Sequence, residues 1–186
     1  MDGVVYYYGK ILSVDEANGY LHSLLHNIPW KNDEVAIFGK HIVTKRKTAW
    51  FGDSGYVYIY SNTEKKALAW TRELAMLKQI VENVSNTKFN SCLLNLYHDG
   101  NEGMGWHSDD EKSIQKNSTI ASVSFGAERR FSFKHKQTNK IISVLLEHGS
   151  LLLMKGPTQK NWLHSLPKSK NITLPRINLT FRIMVA

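Results

Sequence analysis

Two residues that commonly bind metal ions, His107 and Asp109, are separated by one position in the segment WHSDDE. Alternate residues of an extended segment point the same way, so the imidazole and the carboxylate could face one ion. A His-x-Asp triplet is common by chance and needs a third ligand from a distant segment. The best candidate is His164 in NWLHSLP, and His98 in NLYHDG is the nearest alternative.

Two imidazoles and one carboxylate leave three coordination positions open, which is the arrangement of non-haem Fe(II) oxygenases. Zinc is the main rival, because three protein ligands and a water molecule also form a catalytic zinc site. The ligand set alone leaves both metals open. The residues around it must therefore indicate which chemistry is served.

The segment RINLTFRI, residues 176–183, alternates polar and apolar residues and is typical of a strand. Its polar face carries Arg176, Asn178, Thr180 and Arg182. The two arginines lie roughly 20 Å apart along an extended strand, but their long side chains can lean toward one ligand. A guanidinium pairs bidentately with a carboxylate, so the pair favours a dicarboxylate co-substrate beside iron. A solvated sheet face is the alternative; Asn95 and Tyr97 in LLNLY repeat the alternation and would add neutral hydrogen bonds.

The composition indicates one globular domain with an anionic partner. The 186 residues include 24 Lys and Arg against 16 Asp and Glu, a net charge of +8, which suits nucleic acid. Solubility alone is the other explanation of this charge. No apolar run is long enough to cross a membrane, and the first residues lack the features of a signal peptide. Because Cys92 is the only cysteine, no internal disulfide can form, which favours an intracellular compartment.

Two helices and a series of short strands are predicted. The first helix begins at the capping box of Ser13 and Glu16 and ends before Pro29, and the second fills residues 64–84. Between them, AIFGKHIV predicts a hairpin that turns at Gly39, and SGYVYIYS predicts a strand. From about residue 89 onward, short β-type segments follow one another, which favours a β-sandwich or barrel.

In their order along residues 95–183, NLYHDG, WHSDDE, IASVSFGAERRFSF, HGSLLLMKGPTQKNWLHSLP and PRINLTFR resemble the AlkB family of Fe(II)- and 2-oxoglutarate-dependent nucleic-acid demethylases. The upstream FGKHIVTKRKTAWFGDSGYVYIYS resembles the branch that repairs duplex DNA. The resemblance implies an α+β fold with a mainly β core, a double-stranded β-helix (jelly roll) braced by N-terminal helices and carrying a hairpin finger. It implies a single dioxygenase domain over 1–186, with helices and nucleotide-recognition hairpins in 1–90 and the catalytic jelly roll in 91–186.

The resemblance also implies the cofactors and the reaction. Iron is bound by His107, Asp109 and His164, and 2-oxoglutarate is held by Asn95, Tyr97, Arg176, Asn178, Thr180 and Arg182, with Arg176 on the distal carboxylate. With O2, this chemistry hydroxylates the methyl group of N-alkylated bases such as 1-methyladenine and 3-methylcytosine and releases formaldehyde. The alternatives are an RNA or protein demethylase or hydroxylase of the same superfamily, and a nucleic-acid-binding module with a structural metal.

For the substrate, the resemblance places Phe38 at the fingertip, where it fills the gap left by a flipped base. Tyr58 and Tyr60 line the base pocket, Asp110 contacts the base, and Glu111 lies beside it. The predicted DNA contacts are Arg46, Arg129, Arg130 and Lys134. We expect a monomer that binds duplex or single-stranded DNA, with RNA as a further partner and no membrane, in the cytoplasm of a bacterium or the nucleus of a eukaryote.

Overall fold

The computed structural model describes residues 2–37, 40–53, 57–60 and 63–185, and for 35–37, 40–42, 57–60 and 63–66 it describes the backbone alone. Within these ranges the helices are α1 (Val14–Asn27), α2 (Arg72–Ser85) and α3 (Thr158–Asn161). The strands of the N-terminal half are β1 (Val4–Lys10), β2 (Lys31–Ile37), β3 (Lys40–Gly52), β4 (Val57–Tyr60) and β5 (Thr63–Lys66). The later strands are β6 (Ser91–Tyr97), β7 (Met104–His107), β8 (Ile120–Gly126), β9 (Arg129–His135), β10 (Ile141–Leu146), β11 (Ser150–Lys155), β12 (Trp162–Leu166) and β13 (Arg176–Arg182).

The strands form two main antiparallel sheets. The larger has the order β1-β11-β8-β13-β6-β3-β2, and the smaller has the order β10-β9-β12-β7. A separate ribbon pairs β4 with β5. The first 90 residues thus contribute three strands to the larger sheet: β1 and the two strands of the predicted hairpin, β2 and β3. The fold is mainly β, as the sequence predicts.

The larger sheet lies between the helices and the smaller sheet. Leu151 and Leu153 of β11 pack into the cluster that also holds Leu24 of α1 and Leu77 of α2. Leu152, on the opposite face of β11, packs into a second cluster with residues of the smaller sheet. Alternation along β6, β8 and β13 likewise sends Leu, Val, Ile and Phe toward the helices. Their polar residues therefore face the space between the two sheets.

The first helix begins as predicted. The Ser13 hydroxyl accepts a hydrogen bond from the Glu16 backbone N–H, and the Glu16 carboxylate accepts one from the Ser13 N–H. The helix ends at Asn27, and Ile28 is extended because it precedes Pro29. The Ser13 and Glu16 pair thus fixes where the helical layer starts.

The second helix is shorter than predicted. It begins at Arg72, not at residue 64, because the Thr71 hydroxyl accepts a hydrogen bond from the Leu74 N–H and caps the helix. The backbone of residues 63–66 instead pairs with β4. Helix propensity in EKKALAW is thus overridden by strand pairing.

The predicted hairpin pairs β2 with β3, with Ile37 opposite Lys40. Its predicted turn at Gly39 lies outside the described residues, as does Phe38. The strand predicted in SGYVYIYS is β4. Across the part of the chain that is described, no helix has the length and apolar character needed to cross a bilayer.

Candidate active site

The three predicted metal ligands meet between the two sheets. His107 ends β7 and lies directly opposite His164 of the neighbouring strand β12. Asp109 follows two residues after His107, where the chain has left the strand. The register of β7 and β12 therefore places the two imidazoles side by side, and the loop after β7 supplies the carboxylate.

The ligand atoms of the triad point at a common centre. The Nε2 atoms of His107 and His164 each lie 3.8 Å from Oδ1 of Asp109, and the ligand atoms are all within 4.8 Å of one another. The His107 Nδ1 atom lies 2.9 Å from the Gly105 carbonyl oxygen, which can only accept, so Nδ1 carries the proton and Nε2 is left to bind an ion. His98, the alternative ligand, instead pairs with Glu102 on the surface.

The surroundings of two of the three ligands favour the protonation states that a metal requires. Burial lowers the pKa of His164 to about 4, so its imidazole is neutral near pH 7. For Asp109, burial favours the neutral acid, but the charge and the hydrogen bond of Arg182 contribute most to holding its pKa below the usual value. The site therefore offers a neutral imidazole at His164 and a carboxylate at Asp109.

Arg182 connects the metal ligands to the larger sheet. Its Nη2 atom donates a 2.8 Å hydrogen bond to Oδ2 of Asp109, the oxygen that does not face the imidazoles. This contact leaves Oδ1 for the ion and fixes the plane of the carboxylate. Arg182 also makes Asp109 a paired buried charge.

Arg176 is buried at the other end of the same strand face. Its Nη2 atom donates to the Ser124 hydroxyl at 3.0 Å and to Oδ1 of Asn178 at 2.8 Å, both neutral acceptors. Its Nε atom has no hydrogen-bond partner, and no carboxylate of the described residues forms an ion pair with it. A fully buried guanidinium without a counter-charge is costly, and an anionic ligand would remove that cost.

Neutral side chains connect Arg176 to the rest of the polar wall. Asn178 accepts from the Ser122 hydroxyl at 2.9 Å and donates to the Thr180 hydroxyl at 2.9 Å. The Tyr97 ring lies beneath the Arg176 guanidinium, whose Cζ atom is 5.6 Å from its centroid. Asn95 is buried, and its Oδ1 atom has no partner. These neutral groups and the unpaired guanidinium fit a small dicarboxylate that reaches from Arg176 toward the triad.

Arg46 has a different place from the one predicted. It is buried, its guanidinium is paired with Asp33, and its Nη1 atom lies 2.9 Å from Sδ of Met104. Its Cζ atom lies 6.0 Å from the centroid of Tyr97. The Arg46 side chain is therefore turned into the protein in this structure, and its contact with DNA stays a prediction.

Arg129, also predicted to contact DNA, is buried as well. It donates to the backbone carbonyls of Asp99, Glu102 and Pro167, at 3.3, 2.9 and 2.8 Å. In the segment ERRFSFKHK, Arg129 therefore binds carbonyls inside the protein. Arg130, the next residue, is exposed.

The remaining substrate-side residues lie at the mouth of the site or outside the described side chains. Asp110 is exposed, 3.8 Å from the Lys136 ammonium, and Glu111 follows it in a turn in which its carbonyl accepts from Ile114. Phe38 lies outside the described residues, and the side chains of Tyr58 and Tyr60 do too. Their predicted contacts with a base stay predictions.

Several residues of the site were not predicted from the sequence. Ser122 and Ser124 join the polar wall, and Gln159 and Lys136 contact the loop that carries Asp109. The alternation of ASVSF could have drawn attention to the two serines, since it matches that of RINLTFRI. Gln159 and Lys136 gave no such signal, because their partners are distant in the sequence.

Two imidazoles and one carboxylate that point at a common centre have the ligand arrangement of non-haem iron oxygenases. The model of the 2OG-Fe(II) oxygenase superfamily matches residues 4–182. The chain is 41% identical over 157 residues to "DNA oxidative demethylase ALKBH2" of Mus musculus, which covers 80% of this chain and 66% of that protein. It is 36% identical over 184 residues to "Alpha-ketoglutarate-dependent dioxygenase alkB homolog 3" of Homo sapiens, which covers 94% of this chain and 64% of that protein.

A solved structure, "The structure of OsALKBH1", superposes with a TM-score of 0.67 at 17% identity and covers 96% of this chain and 97% of that one. That likeness concerns the fold. The chain spans about two thirds of the length of the curated relatives above, 66% and 64%. The chain belongs to the 2OG-Fe(II) oxygenase superfamily and, within it, to the AlkB family, near the ALKBH2 branch.

Proposed function

We propose that this chain is an Fe(II)- and 2-oxoglutarate-dependent dioxygenase that removes methyl groups from N-alkylated bases in DNA. The observation that carries the proposal is the buried, unpaired guanidinium of Arg176 on the same wall as a His, Asp, His triad. A structural zinc site would have no use for a buried guanidinium that has only neutral partners. Two relatives are named DNA oxidative demethylases, and those names support DNA as the substrate.

His107, Asp109 and His164 would hold the iron, and Arg176 would pair with the distal carboxylate of 2-oxoglutarate. Asn95, Tyr97, Asn178 and Thr180 would add neutral contacts, and Arg182 would orient Asp109. When bound, iron with 2-oxoglutarate and O2 supplies the oxidising power needed to hydroxylate an N-methyl carbon. The protein's own part is to hold the methyl group against that centre in a site that excludes bulk water.

The substrate side of the proposal rests on the mouth of the site. Asp110, and Glu111 beside it, would attract 1-methyladenine or 3-methylcytosine, which carry positive charge. Tyr58 and Tyr60 would stack on the base, and Phe38 would fill the gap that it leaves in a duplex. We place the jelly-roll catalytic core at 91–186 and the recognition hairpins in 1–90, and we expect an intracellular monomer.

The test is to incubate the iron-loaded protein anaerobically with a methylated DNA or RNA oligomer, start the reaction with O2 and 2-oxoglutarate, and measure succinate, formaldehyde and base mass. We expect His107→Ala to abolish both 2-oxoglutarate turnover without substrate and demethylation, because one metal ligand is lost. His98→Ala, a histidine outside the triad, is the control and should retain both activities.

Succinate formation by His107→Ala at the wild-type rate would contradict the ligand assignment. Demethylation of RNA oligomers with none on DNA would favour the RNA demethylase alternative. Zinc occupancy with no succinate from the wild-type protein would contradict the dioxygenase proposal itself.

A further inference from the structure

The loop that carries Asp109 is held by a side chain from a different part of the chain. The Asp109 backbone N–H donates a 2.9 Å hydrogen bond to Oε1 of Gln159 in α3. The two residues are 50 positions apart. Since Asp109 has left strand β7, no strand neighbour can fix its backbone. The amide of Gln159 takes the place of a strand partner at this point.

Helix α3 is itself anchored on both sides of Gln159. The Thr158 hydroxyl accepts from the Val4 N–H at 2.9 Å and is buried against β1. The Asn161 side chain donates to the Asp2 carbonyl at 2.8 Å. These contacts fix a helix of only four residues, so Gln159 has a defined direction.

Lys136, in the turn that follows β9, completes the arrangement. Its ammonium donates to the Gln159 carbonyl at 2.9 Å and to the Ser108 hydroxyl at 3.0 Å. Ser108 lies between the ligands His107 and Asp109. Lys136 thus binds both the helix turn that carries Gln159 and the loop that Gln159 holds.

The geometry points to Gln159 as a positioning residue for the metal site. Arg182 orients the Asp109 carboxylate through its outer oxygen, and Gln159 fixes the backbone from which that carboxylate projects. Hydrogen-bonded partners of metal ligands typically change metal affinity 10- to 100-fold when they are removed. The inference rests on the proposed iron site of His107, Asp109 and His164.

The experiment measures Mn²⁺ binding by isothermal titration calorimetry without co-substrate, which keeps the readout separate from activity. Gln159→Leu keeps most of the side-chain volume but removes the acceptor. We expect its dissociation constant for Mn²⁺ to be about 10- to 100-fold weaker than that of the wild-type protein. Gln159→Glu keeps an acceptor oxygen, and Lys136 lies close enough to offset its charge, so we expect recovery to within about threefold.

Lys160→Met is the matched control, because Lys160 is the neighbour of Gln159 in the same short helix and its side chain is exposed. We expect wild-type Mn²⁺ affinity from it, and circular dichroism should match the wild type for every variant scored. If Gln159→Leu does not fold, Gln159→Glu still decides, because a loss of tenfold or more in that variant, with wild-type affinity in Lys160→Met, would contradict the acceptor role.

Wild-type affinity in Gln159→Leu would overturn the inference, and so would an equal loss in Lys160→Met. Failure of the wild-type protein to bind Mn²⁺ would instead overturn the proposed metal site. The two failures are therefore distinguishable.

Discussion

Arg176 is the residue whose environment most directly indicates an anionic ligand. Burial lowers its pKa to about 10, which still leaves the guanidinium charged at neutral pH. It makes hydrogen bonds to two neutral oxygens and keeps an unpaired Nε–H. Its planar group can offer a fork of two donors to a carboxylate, which an ammonium cannot. A lysine, which has the charge but not the two-donor fork, would therefore bind a carboxylate less well at this position.

We predict that Arg176→Lys weakens the binding of 2-oxoglutarate about 10- to 100-fold. The loss of one charge-assisted hydrogen bond costs about 1.5–3 kcal/mol, which corresponds to that range. Calorimetric titration of the Mn²⁺-loaded protein with 2-oxoglutarate measures the effect. Arg130→Lys, an exposed neighbour of a buried arginine, is the control and should bind as the wild type does. Equal affinity in Arg176→Lys would remove Arg176 from the co-substrate pocket.

The sequence predicted the residues that alternate along strands but missed some of those that meet across the chain, such as Gln159. Arg176, Asn178, Thr180 and Arg182 share one strand face, and that face is set by local geometry alone. Gln159 reaches Asp109 only because α3 lies beside the loop, which no local pattern encodes. The burial of Arg46 was not predicted, because it depends on a partner, Asp33, in another strand.

At the scale of elements, two loops are joined beneath the ends of the histidine-bearing strands. The β6–β7 loop bonds to the segment after β12 through Gly100, whose N–H donates to the Ile172 carbonyl at 2.7 Å and whose carbonyl accepts from Ser169 at 2.8 Å. A Cβ atom at Gly100 would lie 1.8 Å from the Ser169 carbonyl oxygen, so a larger residue does not fit. Arg129 adds its three bonds to carbonyls of the same two loops.

We predict that Arg129→Lys destabilises this junction. One ammonium cannot reach the carbonyls of Asp99, Glu102 and Pro167 together, and each buried acceptor left unpaired costs about 1–3 kcal/mol. Urea denaturation should show that loss. The substitution should also increase the rate of amide hydrogen exchange more in 98–103 and 167–172 than in α1. An unchanged denaturation midpoint would mean that the loops do not depend on the guanidinium. Lys134→Arg, on the same strand, serves as the control.

The element boundaries that were wrong share a cause. The sequence EKKALAW has good helix propensity, yet its first residues pair as β5. The helix begins only after the Thr71 cap. The pairing of β5 with β4, its neighbour in the sequence, outweighed a helix propensity of a few tenths of a kcal/mol per residue. The β core, by contrast, was predictable because one face of each strand had to be apolar.

At the scale of the whole molecule, the positive charge is divided between two tasks. Arg129, Arg176 and Arg182 are turned inward: Arg129 binds loop carbonyls, Arg176 binds Ser124 in the polar wall, and Arg182 pairs with Asp109. The net charge of +8 therefore overstates the charge available to a polyanion. Exposed Lys168 and Lys170, near the junction of the two loops, are part of what remains outside.

The hairpin of β2 and β3 lies at one edge of the larger sheet, and β1 lies at the other. We predict that Phe38→Ala reduces demethylation of a duplex at least several-fold more than that of a single strand, because only a duplex leaves a gap to be filled. Parallel assays on the two forms of one oligomer measure the ratio. Equal losses on both would contradict the finger role, and Phe51→Leu, in the buried part of β3, controls for general destabilisation.

Strand β7 has a partner on one side only, β12, and is joined to it by few residues. It nevertheless carries His107, opposite His164. An ion held by both imidazoles would tie the most weakly supported strand of the smaller sheet to its interior neighbour. Metal binding would then act as a cross-link between β7 and β12. Part of the binding energy would stabilise the edge strand β7 against fraying.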